Sequence, residues 1–220
     1  MSNAIKLLVS GFENSGKSTI VSQINDALVI NFDRKNYTFA TPHADFGQYE
    51  GIKSVIDFIN SKIAKYKEAK KELPKVIVLD TVTHLYNALC RFNATKYSGF
   101  ATHNQNNIDV YDLNSYIEKT LLPNGISVVL VAHTIQDDTG ITIPAQGQFA
   151  KTASWLSVTN EAIFIEKNTG NIILQAQNGK YPARCTLSNI DPKIKMNEFD
   201  INKHIQTLLN AQTQTNTFKL

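Results

Sequence analysis

Hydrophobic residues fall into short unbroken runs separated by stretches of helical spacing. Ile5 to Val9 (IKLLV), Ala27 to Asp33 (ALVINFD), Lys75 to Thr81 (KVIVLDT) and Ile126 to Ala132 (ISVVLVA) are nearly continuous in apolar residues. Such runs suit strands covered on both faces, as inner strands of a parallel sheet are. Between them the period changes. Ile20, Val21, Ile24 and Leu28 predict a helix over 19–28. Ile52, Val55, Ile56, Ile59 and Ile63 predict a second, opening near Asp45 to Gln48 and stopped by Pro74. Val110, Leu113, Ile117 and Leu121 mark a helix over 109–122, and another is expected over 82–92. A short strand is expected over Tyr37 to Ala40. The polar stretches 93–107 and 134–149 read as loops, the first of them mobile. Further on come a short helix over 151–157 and a hairpin of 159–166 with 171–177 across Lys167-Asn168-Thr169-Gly170. A polar turn over 178–184, an amphipathic helix over 199–209 and a frayed tail from Gln212 complete the chain. This alternation predicts an α/β fold: a mainly parallel central sheet flanked by helices, with a C-terminal antiparallel hairpin. One domain is expected over 1–220, its core at about 4–187 and its terminal helix and tail at about 194–220.

Composition narrows the class. A chain of 220 residues with 42% hydrophobic and 19% charged residues can bury the core of one such domain. The longest apolar run, Ile126 to Ala132, is too short to span a bilayer, so no membrane role is expected. Met1 to Ala4 lacks the basic start of a signal peptide. Cys90 and Cys185 have no metal-ligand spacing and are expected to be reduced, in a cytoplasmic protein. The net charge of +3 permits nucleic acid as a partner without defining it. The lysines from Lys62 to Lys75, interspersed with Glu68 and Glu72, read as a solvated helix face, with a phosphate-contacting surface as the sharper alternative.

Candidate chemistry enters with Gly11-Phe12-Glu13-Asn14-Ser15-Gly16-Lys17-Ser18, which fits G-x-x-x-x-G-K-[ST]. Gly11 and Gly16 allow close approaches that a Cβ would block. The loop can then aim successive N–H groups at phosphate oxygens, aided by the helix start at Thr19. Lys17 is expected to reach the β- and γ-phosphates and Ser18 to bind Mg²⁺. The strand before this loop and the helix after it are the context the motif requires.

Turnover of a nucleotide needs a metal clamp and a positioned water besides the loop. Ligands of parallel sheets sit beyond the carboxyl ends of the strands, which brings forward Asp33, Asp80 and His133. Asp80, ending the most apolar strand, is the candidate second partner of Mg²⁺. Asp33 is a candidate base orienting the attacking water and equally a turn-initiating residue, with Asp45 and Glu50 as competitors. His133 suits a γ-phosphate sensor or simply a buried strand-end histidine.

The runs LVINFD, KVIVLDTVTHL and ISVVLVAH, the following hairpin and Gln177-Asn178-Gly179-Lys180-Tyr181-Pro182-Ala183-Arg184 together resemble the ATPase core of RecA-type recombinases. The resemblance covers about Ile5 to Leu187. In compactness and in the VLVAH strand the chain is similar to phage-encoded RecA-like nucleotide-binding proteins, single-strand-annealing ATPases among them. It implies Mg²⁺-dependent ATP hydrolysis in DNA recombination or annealing, single-stranded DNA as partner and a homo-oligomer with ATP between subunits. Asp33 falls where recombinases place a catalytic glutamate, and His133 where they carry a glutamine coupling nucleotide state to DNA. Lys180 and Arg184 fall where some place cations that reach a neighbour's ATP. The segment 134–149 would be the DNA-facing loop, although it carries two aspartates and no basic residue.

Two other readings stay open. A P-loop kinase of a nucleotide or small metabolite usually carries an arginine-rich lid, whereas this chain has only Arg34, Arg91 and Arg184. A nucleotide-gated binding module with little turnover suits Asp33, one methylene shorter than glutamate.

Overall fold

The computed structural model describes residues 3–138, 140–145, 154–175, 180–188 and 190–216. Its centre is an eight-stranded sheet. Strands β1 (Lys6–Gly11), β2 (Ala27–Asn31), β3 (His43–Asp45), β4 (Val76–Asp80) and β5 (Ser127–His133) alternate with helices α1 (Lys17–Ser22), α2 (Ile52–Lys70), α3 (Val82–Lys96) and α4 (Phe100–Tyr116). Then follow β6 (Ile135–Asp137), β7 (Gly140–Thr142), β8 (Glu161–Glu166), β9 (Asn171–Ile173), β10 (Lys193–Lys195) and helix α5 (Ile201–Asn216). The order across the sheet is β10-β9-β8-β1-β5-β4-β2-β3. Every neighbouring pair from β8 to β3 is parallel, and β9 and β10 join antiparallel at the far edge.

The continuous apolar runs have a simple cause. Each inner strand feeds two cores with alternate side chains. Leu8, Leu28, Ile30, Ile77, Leu79, Val128 and Leu130 face α2, α3 and α4. Leu7, Val9, Val29, Val76, Val78, Val129 and Val131 face α1 and α5. A strand buried on both faces has no polar period to show.

Several sequence expectations need correction. The first helix ends at Ser22 rather than Leu28, because Asp26 takes a left-handed turn (φ 52°) that leads directly into β2. No strand forms over Tyr37 to Ala40; the paired segment is His43–Asp45. Tyr37 instead packs its ring against Phe39 and His43 and turns its hydroxyl inward. Helix α2 begins at Ile52 and ends at Lys70, before Pro74, with Lys71 left-handed. The expected loop 93–107 is mostly helical: α3 runs to Lys96 and α4 starts at Phe100. Two of its polar residues are inward: Asn93 and Asn106 are buried, and Asn93 donates to Asn106 and to the buried Asp109 just beyond. Within 134–149, β6 and β7 form a small antiparallel ribbon, and 139 and 146–149 lie outside the described residues. Of the expected helix 151–157, residues 151–153 lie outside them too and 154–157 form turns. Helix α5 continues to Asn216, past the expected start of fraying, and opens on Asp200, whose Oδ1 accepts from the N–H groups of Asn202 and Lys203.

Candidate active site

The parallel strands deliver their carboxyl ends to one edge of the sheet. Register fixes who meets there: Gly11 lies opposite His133 on one side and Ile165 on the other, and Asn31 lies opposite Asp80.

The loop from Gly11 to Gly16 is closed by Ser15 N–H donating to the Phe12 carbonyl at 3.2 Å. Its glycines are required by geometry. A Cβ on Gly11 would lie 2.4 Å from Ser15 Oγ and 3.0 Å from the Ile165 carbonyl oxygen. Gly16 sits at φ +98°, with Met196 packed over it. Lys17 opens α1 and is buried, its ammonium donating to the carbonyls of Gly11 at 2.8 Å and Phe12 at 2.6 Å. Burial, and then the nearby Lys35 cation, bring its pKa down to about 8. Two backbone carbonyls are a modest partner for a buried cation, so a phosphate would hold it better. Ser15 Oγ is buried without a partner among the described residues, whereas Ser18 and Thr19, like Glu13 and Asn14, are exposed. The cradle, the parked lysine and the orphaned hydroxyl fit a triphosphate.

Asp80 ends β4 with its side chain in the interior. Burial pushes its carboxyl pKa up, opposed by the hydrogen bond from Tyr37, whose hydroxyl donates to Oδ2 at 2.6 Å. Burial, then the Asp80 charge and the same bond, push the phenol far above its ordinary value. Asp33, two residues past β2, has a side chain only 2% exposed and pairs with Lys35 at 2.7 Å. His133 is fixed through its backbone N–H, which donates to Thr83 Oγ1 at 2.9 Å. Both ring nitrogens are buried without a partner among the described residues. Burial, followed by the charges of Lys17 and Lys35, lowers its pKa to about 4.

The structure therefore gathers Lys17, Asp33, Asp80 and His133 at one strand edge, with Ser18 on the first turn of α1. Asp45 is drawn elsewhere, to Asn31 Nδ2 at 2.7 Å. Lys180 stacks over Tyr181 at 5.3 Å, and Arg184 Nη2 donates to the Leu156 carbonyl. Neither is among the leading charges felt by Lys17, Asp80 or His133. Three residues of the neighbourhood escape sequence reading: Lys35, Tyr37 and His84. His84 lies on the first turn of α3, and its ring is 5.6 Å from that of His133. The only local signal for it is its place four residues after the strand-end aspartate.

A glycine cradle at the head of a parallel strand, beside a buried carboxylate two strands away, defines a P-loop nucleotide-binding fold. A family model described as an AAA domain matches residues 3–143, and the chain belongs to this family of P-loop ATPases. Among curated proteins none matches the chain. Among the described residues, no helix is long and apolar enough to cross a membrane.

Proposed function

We propose that the chain is a Mg²⁺-dependent ATPase of RecA-like type, acting on single-stranded DNA in recombination or annealing, phage-type and homo-oligomeric. The observation that carries the ATPase reading is the meeting of Asp33, Asp80 and His133 at the strand edge that also holds Lys17. In this reading the loop 11–19 holds the triphosphate, and Lys17 leaves the Gly11 and Phe12 carbonyls for the β- and γ-phosphate oxygens. Ser18 and Asp80 hold Mg²⁺, which supplies charge neutralisation between the phosphates. Asp33 orients the attacking water, and His133, neutral and unpartnered, donates to or accepts from the γ-phosphate surroundings. The RecA-like assignment is supported by the position of Asp33 and His133 relative to the P-loop and by the β6–β7 ribbon directly after His133. One ATPase unit of 1–220 follows, and Lys180 or Arg184 would act on a neighbouring subunit's nucleotide.

A second reading has its own observation. Asp33 is ion-paired to Lys35 and almost fully enclosed, which opposes its use as a base. A nucleotide-gated module with slow turnover fits that pairing.

An ATPase assay with and without single-stranded DNA, alongside size measurement with a non-hydrolysable ATP analogue, tests both readings. DNA-stimulated hydrolysis and nucleotide-dependent assembly support the first. Tight binding with negligible hydrolysis supports the second. A monomer without DNA response removes the recombinase-like role. ATP hydrolysis unchanged by Lys17→Ala overturns the site.

A further inference from the structure

Three potential metal ligands converge where sequence reading places only two site residues. One atom each from the Asp33 carboxylate and the His84 and His133 rings lie within 4.8 Å of one another. They come from three separate segments: the turn after β2, the first turn of α3 and the end of β5. We propose that Asp33, His84 and His133 form a site for a borderline divalent metal such as Zn²⁺, chemically distinct from the Mg²⁺ position assigned to Ser18 and Asp80.

The donor set decides the class of ion. Two imidazoles and one carboxylate suit Zn²⁺ and its transition-metal neighbours, whereas Mg²⁺ prefers oxygen donors and retained waters. Three protein ligands leave a fourth position open to water or to an oxygen of a bound phosphate. The spacing is wider than in a filled site and closes by rotation of the two rings and the carboxylate. The exposed His84 has room for that motion.

Outer contacts have the form that metal ligands use. Thr81 Oγ1 sits 2.9 Å from His84 Nδ1 and also accepts from the His84 backbone N–H, orienting the ring. Asp33 is held by the Lys35 ammonium and backbone N–H. The two unpartnered nitrogens of His133 are the second observation. Ring nitrogens that are buried with no hydrogen-bond partner among the described residues are costly, and a metal would supply the missing partner. Lys17 and Lys35 place positive charge near His133, which opposes a bound cation, and the Asp33 carboxylate paired with Lys35 offsets part of it.

Metal binding itself does not require the ATPase reading. Its consequence does: an ion on Asp33 removes the water-orienting group while Lys17, Ser18 and Asp80 still hold nucleotide, so Zn²⁺ slows turnover without displacing ATP.

The test is titration of the chelator-treated full chain with Co²⁺, read by its ligand-field absorption, followed by competition with Zn²⁺. One equivalent is expected, without the thiolate charge-transfer band that Cys90 or Cys185 would give. His84→Ala, a change at an exposed position, should weaken binding by about tenfold or more. Asp33→Asn should do the same, and His103→Ala, on α4, should leave it unchanged. Lys17→Ala should retain saturable metal binding at least as tight as the wild type's, because a cation near His133 is gone, which separates this site from the nucleotide site. Absence of saturable binding, a thiolate band, or affinity unchanged by His84→Ala overturns the proposal. None of these outcomes affects the Lys17 assignment, which ATP hydrolysis alone decides.

Discussion

The Tyr37 hydroxyl donates to Asp80 Oδ2 over 2.6 Å, tying the irregular segment after β2 to the carboxylate at the end of β4. The bond counteracts the effect of burial on Asp80 and favours its ionised form. Tyr37→Phe removes that support. If Asp80 holds Mg²⁺ as proposed, the Mg²⁺ concentration for half-maximal ATP hydrolysis rises several-fold while ATP affinity at saturating Mg²⁺ is retained. Stability falls by about 1.5 kcal/mol, the scale of a hydrogen bond to a charged group. A Mg²⁺ dependence identical to that of the wild type would remove Tyr37 from this role.

Lys17 gives the nucleotide site a pH signature. Its pKa in the free protein, about 8, is below the ordinary lysine value, chiefly through burial and then through Lys35. Bound phosphate favours the ammonium form and raises that pKa, so the ammonium's contribution to affinity is complete below pH 8. Above it, affinity declines by up to about tenfold per pH unit until the pKa of the complex is reached. Calorimetric ATP binding between pH 7 and pH 9.5 should show this bend. Lys35→Ala should move the bend to higher pH, because a cation that depresses Lys17 is gone. A flat profile in the wild type would mean that Lys17 carries no proton-linked part of binding.

The buried bonds between α3 and α4 form a polar clamp. The Asp109 carboxyl accepts from Tyr49 (2.8 Å), Asn93 (2.9 Å) and Gln105 (2.8 Å), and Asn93 also donates to Asn106 (2.9 Å). Asp109→Ala removes the acceptor of the buried Tyr49 hydroxyl and leaves Asn93 with Asn106 alone. It should cost about 2–4 kcal/mol, read as a lower denaturation midpoint, while Asp109→Asn should cost less. A loss below about 0.5 kcal/mol would show that the network contributes little.

That clamp also marks the limit of what sequence conveys. The four inner strands and the Gly11 to Ser18 loop are legible because their signals are local: unbroken apolar runs, and a fixed spacing of glycines before a lysine. Asp80 is legible from its place at the end of such a run. Helix α4 is not, because its N-terminal half buries Asn106 and Asp109 rather than apolar residues, so the helical period appears only from Val110 onward. The strand at His43–Asp45 is displaced from expectation because Tyr37 and Phe39, which read as strand residues, pack beside Asp80 and in the core instead. Lys35, Tyr37 and His84 enter the site only through the order of strands, which places the turns after β2 and β4 together. No spacing along the chain records that meeting.

His204 supplies the final prediction, on the opposite face of the sheet. It lies on α5 against Phe199, 9% exposed, with Nε2 buried and unpartnered among the described residues. Burial lowers its pKa to about 4, below the ordinary 6.5. Between those values the unfolded chain takes up a proton that the folded chain refuses. Stability therefore falls as pH drops from 6.5 towards 4 and loses no more from this group below 4. The loss is at most about 3 kcal/mol, the full shift converted at 1.36 kcal/mol per unit. His133, shifted in the same direction, adds a slope of the same sign. His204→Leu should therefore flatten the fall in thermal midpoint between pH 7 and pH 4.5 without abolishing it. An unchanged acid slope in this variant, with a native far-UV spectrum at pH 7, would mean that His204 takes up its proton in the folded state.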